Sequence, residues 1–397
     1  MKKRIPLATA MVLILFTVLL TFQITYNFVE NQYQKKVDTL TKTQSDFSKL
    51  AQADILIREN FKGAVEEDAL EDGLIRGYVS SLSDPYSRYL SAREYRQYQD
   101  EKKGSGIGIG ARFTYNENSG EVTVYAVFPS SPAMQSGIQK GDVLYMIGDT
   151  PVSDLGFAGA VQALSGDAGS QVTITVKRRV AAQVLEMPFT LTRQEMQEPT
   201  VHYEMLTERA GYIQIFDITS STPDEFSSAM SAVTSAGAQG IVFDVRGNVG
   251  SDVEAACAML DRLLPEGVLM KKIDHKGKES VVKSDKNAFS LPMSVITNSA
   301  TACAPELFAA TLRDFGAATL VGETTYGKGT LQTVLEMDDG SAILLSEATF
   351  TPPTSPGFEG VGVIPDVESK LGHSNHYLVP HSDDTQLQDA MKALNLS

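Results

Sequence analysis

The chain of 397 residues is long enough for two or three domains with sizeable cores, and its apolar and charged fractions, 42% and 21%, are those of ordinary globular proteins. Against 34 basic residues stand 49 acidic ones, a net charge of −15 that argues against a nucleic-acid partner. Two cysteines exclude a disulfide framework and a cysteine-rich zinc site, and there is no HExxH motif or Walker-type glycine loop, so neither metal nor cofactor is expected.

The N-terminus reads as an address. A basic cluster, Met1-Lys2-Lys3-Arg4, precedes an uncharged apolar run from Ile5 to Ile24. One membrane crossing needs about 20 apolar residues. The basic flank favours the cytoplasmic side and leaves the remainder outside. Thr25-Tyr26-Asn27-Phe28 offers no small-residue cleavage site, so an uncleaved anchor over 1–28 is expected rather than a removed signal peptide. From Glu30 to Asn60 the spacing of Val37, Leu40, Phe47, Leu50, Ile55 and Leu56 suits an amphipathic stalk helix. A second helix is expected over Asp68–Ser83, ending at the turn Asp84-Pro85-Tyr86-Ser87. A third, over Ser91–Gln99, has Ser91 as cap and Glu94 three residues on. This segment, 29–103, combines the stalk with the start of the domain that resumes after residue 194.

From Gly104 the texture changes to strands. Gly104-Ser105-Gly106-Ile107-Gly108-Ile109-Gly110-Ala111 opens it, and strands follow at Val122–Phe128 and in the alternating Val172–Val176. The string Ser131-Pro132-Ala133…Gly137-Ile138…Gly141-Asp142 closely resembles a PDZ domain, placed over 104–194. The N–H groups of Gly108, Ile109, Gly110 and Ala111 then make a nest for a terminal carboxylate, while a peptide adds as a strand to the neighbouring edge.

Over 195–372 strands and helices alternate. Strands are expected at Gly211–Ile215, Gly240–Arg246, Met293–Thr297 and Thr319–Val321, and helices at Thr222–Ser235, Asp252–Leu264 and Ala304–Phe315. Thr222 reads as a cap, with Glu225 completing a capping box. That alternation predicts an α/β, mostly parallel sheet, with sites gathering at the carboxyl ends of its strands. Asn298–Cys303 and Arg246–Ser251 fall at such ends.

Four motifs follow in order behind the PDZ string: Asp244-Val245-Arg246-Gly247-Asn248-Val249-Gly250, Thr301-Ala302-Cys303-Ala304-Pro305-Glu306, Gly327-Lys328-Gly329-Thr330-Leu331-Gln332, and Gly360–Asp366. Together they resemble the C-terminal processing peptidases, or tail-specific proteases, from about Ala53 to the end. The resemblance implies a nucleophile, a lysine base and a glutamine that orients the lysine. Lys328 takes the base position and Gln332 that of its partner. Cys303 falls where the family has serine, Pro305 replaces the box's last serine, and Ser251 replaces a glycine. Ala304 and Gly250 (or Ser251) would supply the oxyanion N–H groups.

A helix N-terminus and a nearby lysine are expected to lower the Cys303 pKa, so that a cysteine–lysine pair could run as an ion pair. Glu306 reads either as a neighbour of Lys328 or as an ordinary first-turn glutamate. Asp244 and Arg246 read as a structural pair, and Cys257 as core. His202, His275, His373, His376 and His381 sit in no matched motif, and the last three fall in a polar stretch of the tail 373–397 that reads as solvated linker. The implied function is a membrane-anchored extracytoplasmic endopeptidase that takes proteins by their free C-terminal tails. The alternative is a PDZ binding protein whose catalysis is impaired.

Overall fold

In the computed structural model the described residues are 11, 15–30, 47–102, 105–286, 288–372 and 375–394. They divide into two compact units, 1–74 and 75–397. In the first, residues 15–30 are helical and exposed, and a further helix runs Ser48–Asn60, where Arg58 bridges Asp54 and Glu67 at 2.9 and 2.6 Å. Among the described residues no helix is long and apolar enough to cross a membrane. Residues 5–10 and 12–14 of the expected span, and 31–46 of the expected stalk, lie outside the described residues.

The second unit is built around a six-stranded sheet in the order Val201–Met205, Ala210–Ile215, Gly240–Asp244, Met293–Thr297, Ala318–Gly322, Val367–Glu368. Its first pair is antiparallel and the others are parallel. Gly240–Asp244 and Met293–Thr297 are buried along their whole length, as central strands covered on both faces must be. Alternate residues go to opposite faces. Ile241 and Phe243 pack with Phe226 and Phe308 of the helices Thr222–Ser235 and Ala304–Asp314, with Val253–Asp261 beside them. Val242, Ile296 and Val321 pack on the other face against Leu387, Ala390 and Leu394 of the helix Thr385–Ala393 and its end.

Among the described residues parallel pairing is confined to this sheet, which corrects the expectation of a mostly parallel core. A second, five-stranded sheet joins Arg88–Leu90, Ala342–Thr351, Gly267–Asp274, Glu279–Ser284 and Thr330–Glu336 by antiparallel pairings alone. For two of its four pairings the reason is local. His275–Lys278 and Met337–Ser341 are short turns, and a short turn between neighbouring strands admits only antiparallel pairing.

The PDZ sheet runs Ala111–Asn116, Glu121–Val127, Val143–Ile147, Gln171–Val180, Gln183–Thr192, all antiparallel. Val172, Ile174 and Val176 turn into its core, as their alternation predicts. Ser105–Gly108 pairs with Gln194–Gln197, closing the two connections to the remaining chain. Local caps differ in one place from expectation. The helix Thr222–Ser235 is preceded by Ser221 as cap, while the Glu225 carboxylate accepts from the N–H groups of Thr200 and Val201 at 2.8 and 3.2 Å. Ser91 and Glu94 do form their reciprocal box.

Candidate active site

The two sheets bring the candidate residues together. Cys303 ends the loop after Met293–Thr297 and caps the helix Ala304–Asp314, with Pro305 in its first turn. Its backbone is held at φ 70°, a left-handed conformation that costs a non-glycine residue on the order of 1–3 kcal/mol. The surroundings over-determine it. The Cys303 N–H donates to Glu306 Oε2 at 2.8 Å, and the flanking Ala302 and Ala304 N–H groups donate to the carbonyls of Asn248 and Gly250 at 2.9 and 3.0 Å.

Glu306 is no ordinary first-turn glutamate. It is wholly buried, and besides Cys303 it accepts from the N–H groups of Gly327 at 2.7 Å and Lys328 at 2.8 Å, and from the Thr325 hydroxyl. One carboxylate therefore ties the backbone of the nucleophile position to that of the base position. Lys328 Nζ donates to Gln332 Oε1 at 3.0 Å, and Gln332 Nε2 donates to the Tyr86 carbonyl at 2.5 Å. The structure thus joins Gln332, on the antiparallel sheet, and Lys328, in the loop that leads into it, to the cysteine loop of the six-stranded sheet.

The thiol itself is not poised as an anion. Cys303 is 2% exposed, and burial pushes its pKa up to about 11. Lys328 and the Ala304 N–H pull the other way, Glu306 and Glu359 add to the rise, and desolvation wins. This corrects the expectation of a lowered thiol. Cys257, in the core beside Ala256 and Met259, is pushed up further, to about 12.

Both candidate oxyanion donors are engaged as the site stands. The Ala304 N–H is taken by the Gly250 carbonyl, and the Gly250 N–H donates to Asn248 Oδ1 at 2.9 Å. Residue 250 must be glycine here, because a Cβ would lie 2.3 Å from the Ile218 nitrogen. Behind this loop, Arg246 is buried between Asp244 and Asp384, at 2.6 and 2.8 Å, and also donates to Gln386. Burial works against the charged form of Asp244, yet Arg246 holds it below the usual carboxylate range. Their role is structural.

In the PDZ sheet the edge strand Ala111–Asn116 has one partner only among the described residues. Tyr115 and Phe157, whose rings lie 5.9 Å apart, and Val161 stay exposed beside it. The loop before it spends the carbonyls of Ile109 and Gly110 on the N–H groups of Ala133 and Phe128, both at 2.9 Å. Gly110 has φ 79°, and a Cβ there would lie 2.2 Å from that of Ser131. Gly108 pairs with Gln194 and Ala111 with Val127, so the four residues of the expected nest form one continuous turn into the open edge.

The tail is not merely solvated linker. Asn375 Nδ2 donates to Thr114 Oγ1 at 2.5 Å, and the Tyr377 ring stacks on Tyr125 at 4.0 Å. The Tyr377 hydroxyl donates to the Arg246 carbonyl at 3.4 Å, and burial depresses the His376 pKa to about 4. His381 lies 3.9 Å and His202 3.5 Å from Glu204, His275 sits in the 275–278 turn, and His373 lies outside the described residues. Sequence reasoning misses Tyr86, Thr325 and Glu359 as neighbours of the site. The Asp84–Ser87 motif is the one available signal, and it reads only as a turn.

Comparison with known proteins agrees with this geometry. The model of peptidase family S41 matches residues 209–369, that of the activating protease CtpB N-terminal domain residues 15–94, and that of the PDZ domain residues 123–178. Over 329 residues the chain is 31% identical to the carboxy-terminal processing protease CtpA of Bacillus subtilis, covering 82% of this chain and 70% of that one. It is 28% identical over 330 residues to the chloroplastic C-terminal processing peptidase of Tetradesmus obliquus, covering 79% and 71%. The solved photosystem II D1 C-terminal processing protease matches at 27% identity with a TM-score of 0.51, over 80% of this chain and 86% of that one. A buried cysteine loop, a lysine–glutamine pair and an inserted PDZ sheet thus accompany family matches in the same order along the chain, which belongs to the C-terminal processing proteases of peptidase family S41.

Proposed function

We propose that the protein is a membrane-anchored extracytoplasmic endopeptidase that selects proteins by their free C-terminal tails and cleaves them with Cys303 as nucleophile, Lys328 as base and Gln332 as orienting group. The observation that carries this reading is the Lys328–Gln332 hydrogen bond, held next to the Cys303 loop by the shared Glu306 carboxylate. A thiol with a pKa near 11 favours concerted proton transfer over a standing ion pair. Sγ attacks the scissile carbonyl carbon as its proton passes to the free amine of Lys328. The C–N bond then breaks, Lys328 returns the proton to the leaving amine, and a thioester remains. Water attacks that thioester, giving its proton to Lys328, which restores the thiol. For Ala304 to stabilise the oxyanion, the Gly250 carbonyl must first leave its N–H.

Tail selection rests on the open edge Ala111–Asn116 and the turn Gly108–Ala111, a carboxylate nest with apolar Tyr115, Phe157 and Val161 alongside. The anchor and the extracytoplasmic location rest on the basic and apolar pattern of residues 1–24. Removal of residues 1–28 is expected to move the protein from the membrane fraction to the supernatant. The purified protein is expected to degrade an unstructured protein, and Cys303→Ala and Lys328→Ala each to abolish this. Equal activity in Cys303→Ala would remove the nucleophile assignment.

A second reading is a PDZ binding protein with impaired catalysis. It is favoured by the raised thiol pKa and the occupied Ala304 N–H. It predicts tail binding without cleavage, and activity gained in Cys303→Ser.

A further inference from the structure

We propose that Tyr86, on the Asp84–Ser87 turn, and Glu359 are positioning residues for the Lys328–Gln332 pair, an assignment that rests on the reading of Lys328 as base. The amide of Gln332 has an acceptor end and a donor end, and only one orientation serves a lysine. The Tyr86 carbonyl can accept and never donate. By taking Nε2 at 2.5 Å it turns Oε1 toward Lys328 Nζ. The ring of the same residue lies 4.9 Å from Nζ and so walls one side of it.

The third contact of Tyr86 closes a loop. Its hydroxyl donates to Glu359 Oε1 at 3.1 Å, and Glu359 Oε2 accepts from the Gly329 N–H at 2.6 Å and the Thr330 hydroxyl at 2.9 Å. Burial first, and then the Glu359 carboxylate, keep the phenol protonated and so a donor. With Glu306 on the N–H groups of Gly327 and Lys328, two acidic side chains hold three consecutive amides around the lysine. The turn that carries Tyr86 is itself fixed. Asp84 accepts from the N–H groups of Tyr86 and Ser87 and from the Ser87 hydroxyl, and Ser87 Oγ accepts from the Ser346 N–H at 3.0 Å. Ser346 is the strand partner of Gln332. A segment remote in sequence thus reaches both ends of the pair, which mere packing would not require.

The test compares the full-length chain with Tyr86→Leu, Tyr86→Phe, Glu359→Ala and Lys328→Ala, by kcat and KM on an unstructured protein and by crystal structures of the first three variants. Tyr86→Leu is expected to lower kcat about tenfold or more with KM within about twofold, since misplacement of a reacting group by about 1 Å can cost a hundredfold. Both variants keep the backbone carbonyl; Tyr86→Phe keeps the ring but loses the hydroxyl that donates to Glu359, and is expected to lower kcat less than Tyr86→Leu does. Glu359 is exposed, so Glu359→Ala should fold and still lower kcat at constant KM. Unchanged kcat in both Tyr86→Leu and Glu359→Ala would overturn the proposal. If Lys328→Ala keeps full activity, the base reading fails instead. The crystals then decide the positioning claim alone. A Lys328–Gln332 hydrogen bond broken in Tyr86→Leu or Glu359→Ala supports it, and one that persists in both overturns it.

Discussion

The cysteine loop and the PDZ edge solve opposite problems. Around Cys303 every backbone donor from 302 to 304 and from 327 to 329 already has an acceptor, much of it supplied by two acidic side chains. Along Ala111–Asn116 one side of the strand has no partner among the described residues, and apolar side chains stand exposed beside it. The first region is complete and closed, the second incomplete and open. A closed polar network fixes geometry at the expense of access, whereas an open edge takes its missing hydrogen bonds from a ligand. A tail bound at the second region can alter the first only through its differential affinity for the closed and open states.

The largest effect should come from breaking the closed network. Glu306→Ala leaves at least three buried N–H groups without their acceptor, at about 1–3 kcal/mol each. Urea denaturation is expected to show a loss on the order of 3–5 kcal/mol, with activity gone. A loss under about 1 kcal/mol would mean that the loop is held by packing and not by the carboxylate.

The seam between the two regions supplies the next test. Neutral His376 is half-buried there, its pKa depressed to about 4 by desolvation. The unfolded chain takes up the proton near the ordinary histidine value of about 6.5, while the folded chain resists until about 4. The contribution is therefore intact above pH 6.5 and is lost as pH falls toward 4, by up to about 3 kcal/mol. His376→Phe should flatten this part of the stability–pH curve. Equal acid sensitivity in the two proteins would place the loss elsewhere.

On the open side, amidating the C-terminus of a tail peptide removes its charge and keeps its side chains. Hydrogen bonds to charged groups contribute about 1.5–3 kcal/mol, so affinity should fall roughly tenfold to a hundredfold, and cleavage should slow with it. Gly110→Ala should abolish the difference between acid and amide, because the added Cβ collides with Ser131. Indistinguishable acid and amide on the unmodified protein would reduce the Gly108–Ala111 loop to a turn.

Much of this is legible in the sequence. The buried strands Gly240–Asp244 and Met293–Thr297 announce themselves by unbroken apolar runs, and Ala304–Asp314 by its small-residue entry and apolar stripe. The second sheet is not legible, because Thr330–Glu336 starts inside a motif read for its chemistry, Ala342–Thr351 lies between motifs, and the two pair through a short turn that the pattern of helices and strands leaves unremarked. The lysine–glutamine pairing is what the family resemblance of the motif Gly327–Gln332 implies, whereas Tyr86 and Glu359 reach the site across long sequence separations with no local periodicity to mark them. The thiol pKa departs from expectation for a different reason. Helix and lysine are visible in sequence, but the burial that outweighs them is a property of the packed fold.

That Cys303 forms the covalent intermediate is tested most directly by acid-quenching a reaction with a tail-bearing peptide and measuring the intact protein by mass spectrometry. A nucleophilic Cys303 predicts a mass increase equal to the N-terminal cleavage fragment less one water, mapped to Cys303 and absent from Cys303→Ala and Lys328→Ala. Peptide cleavage with no adduct, continuing undiminished in Cys303→Ala, would contradict it.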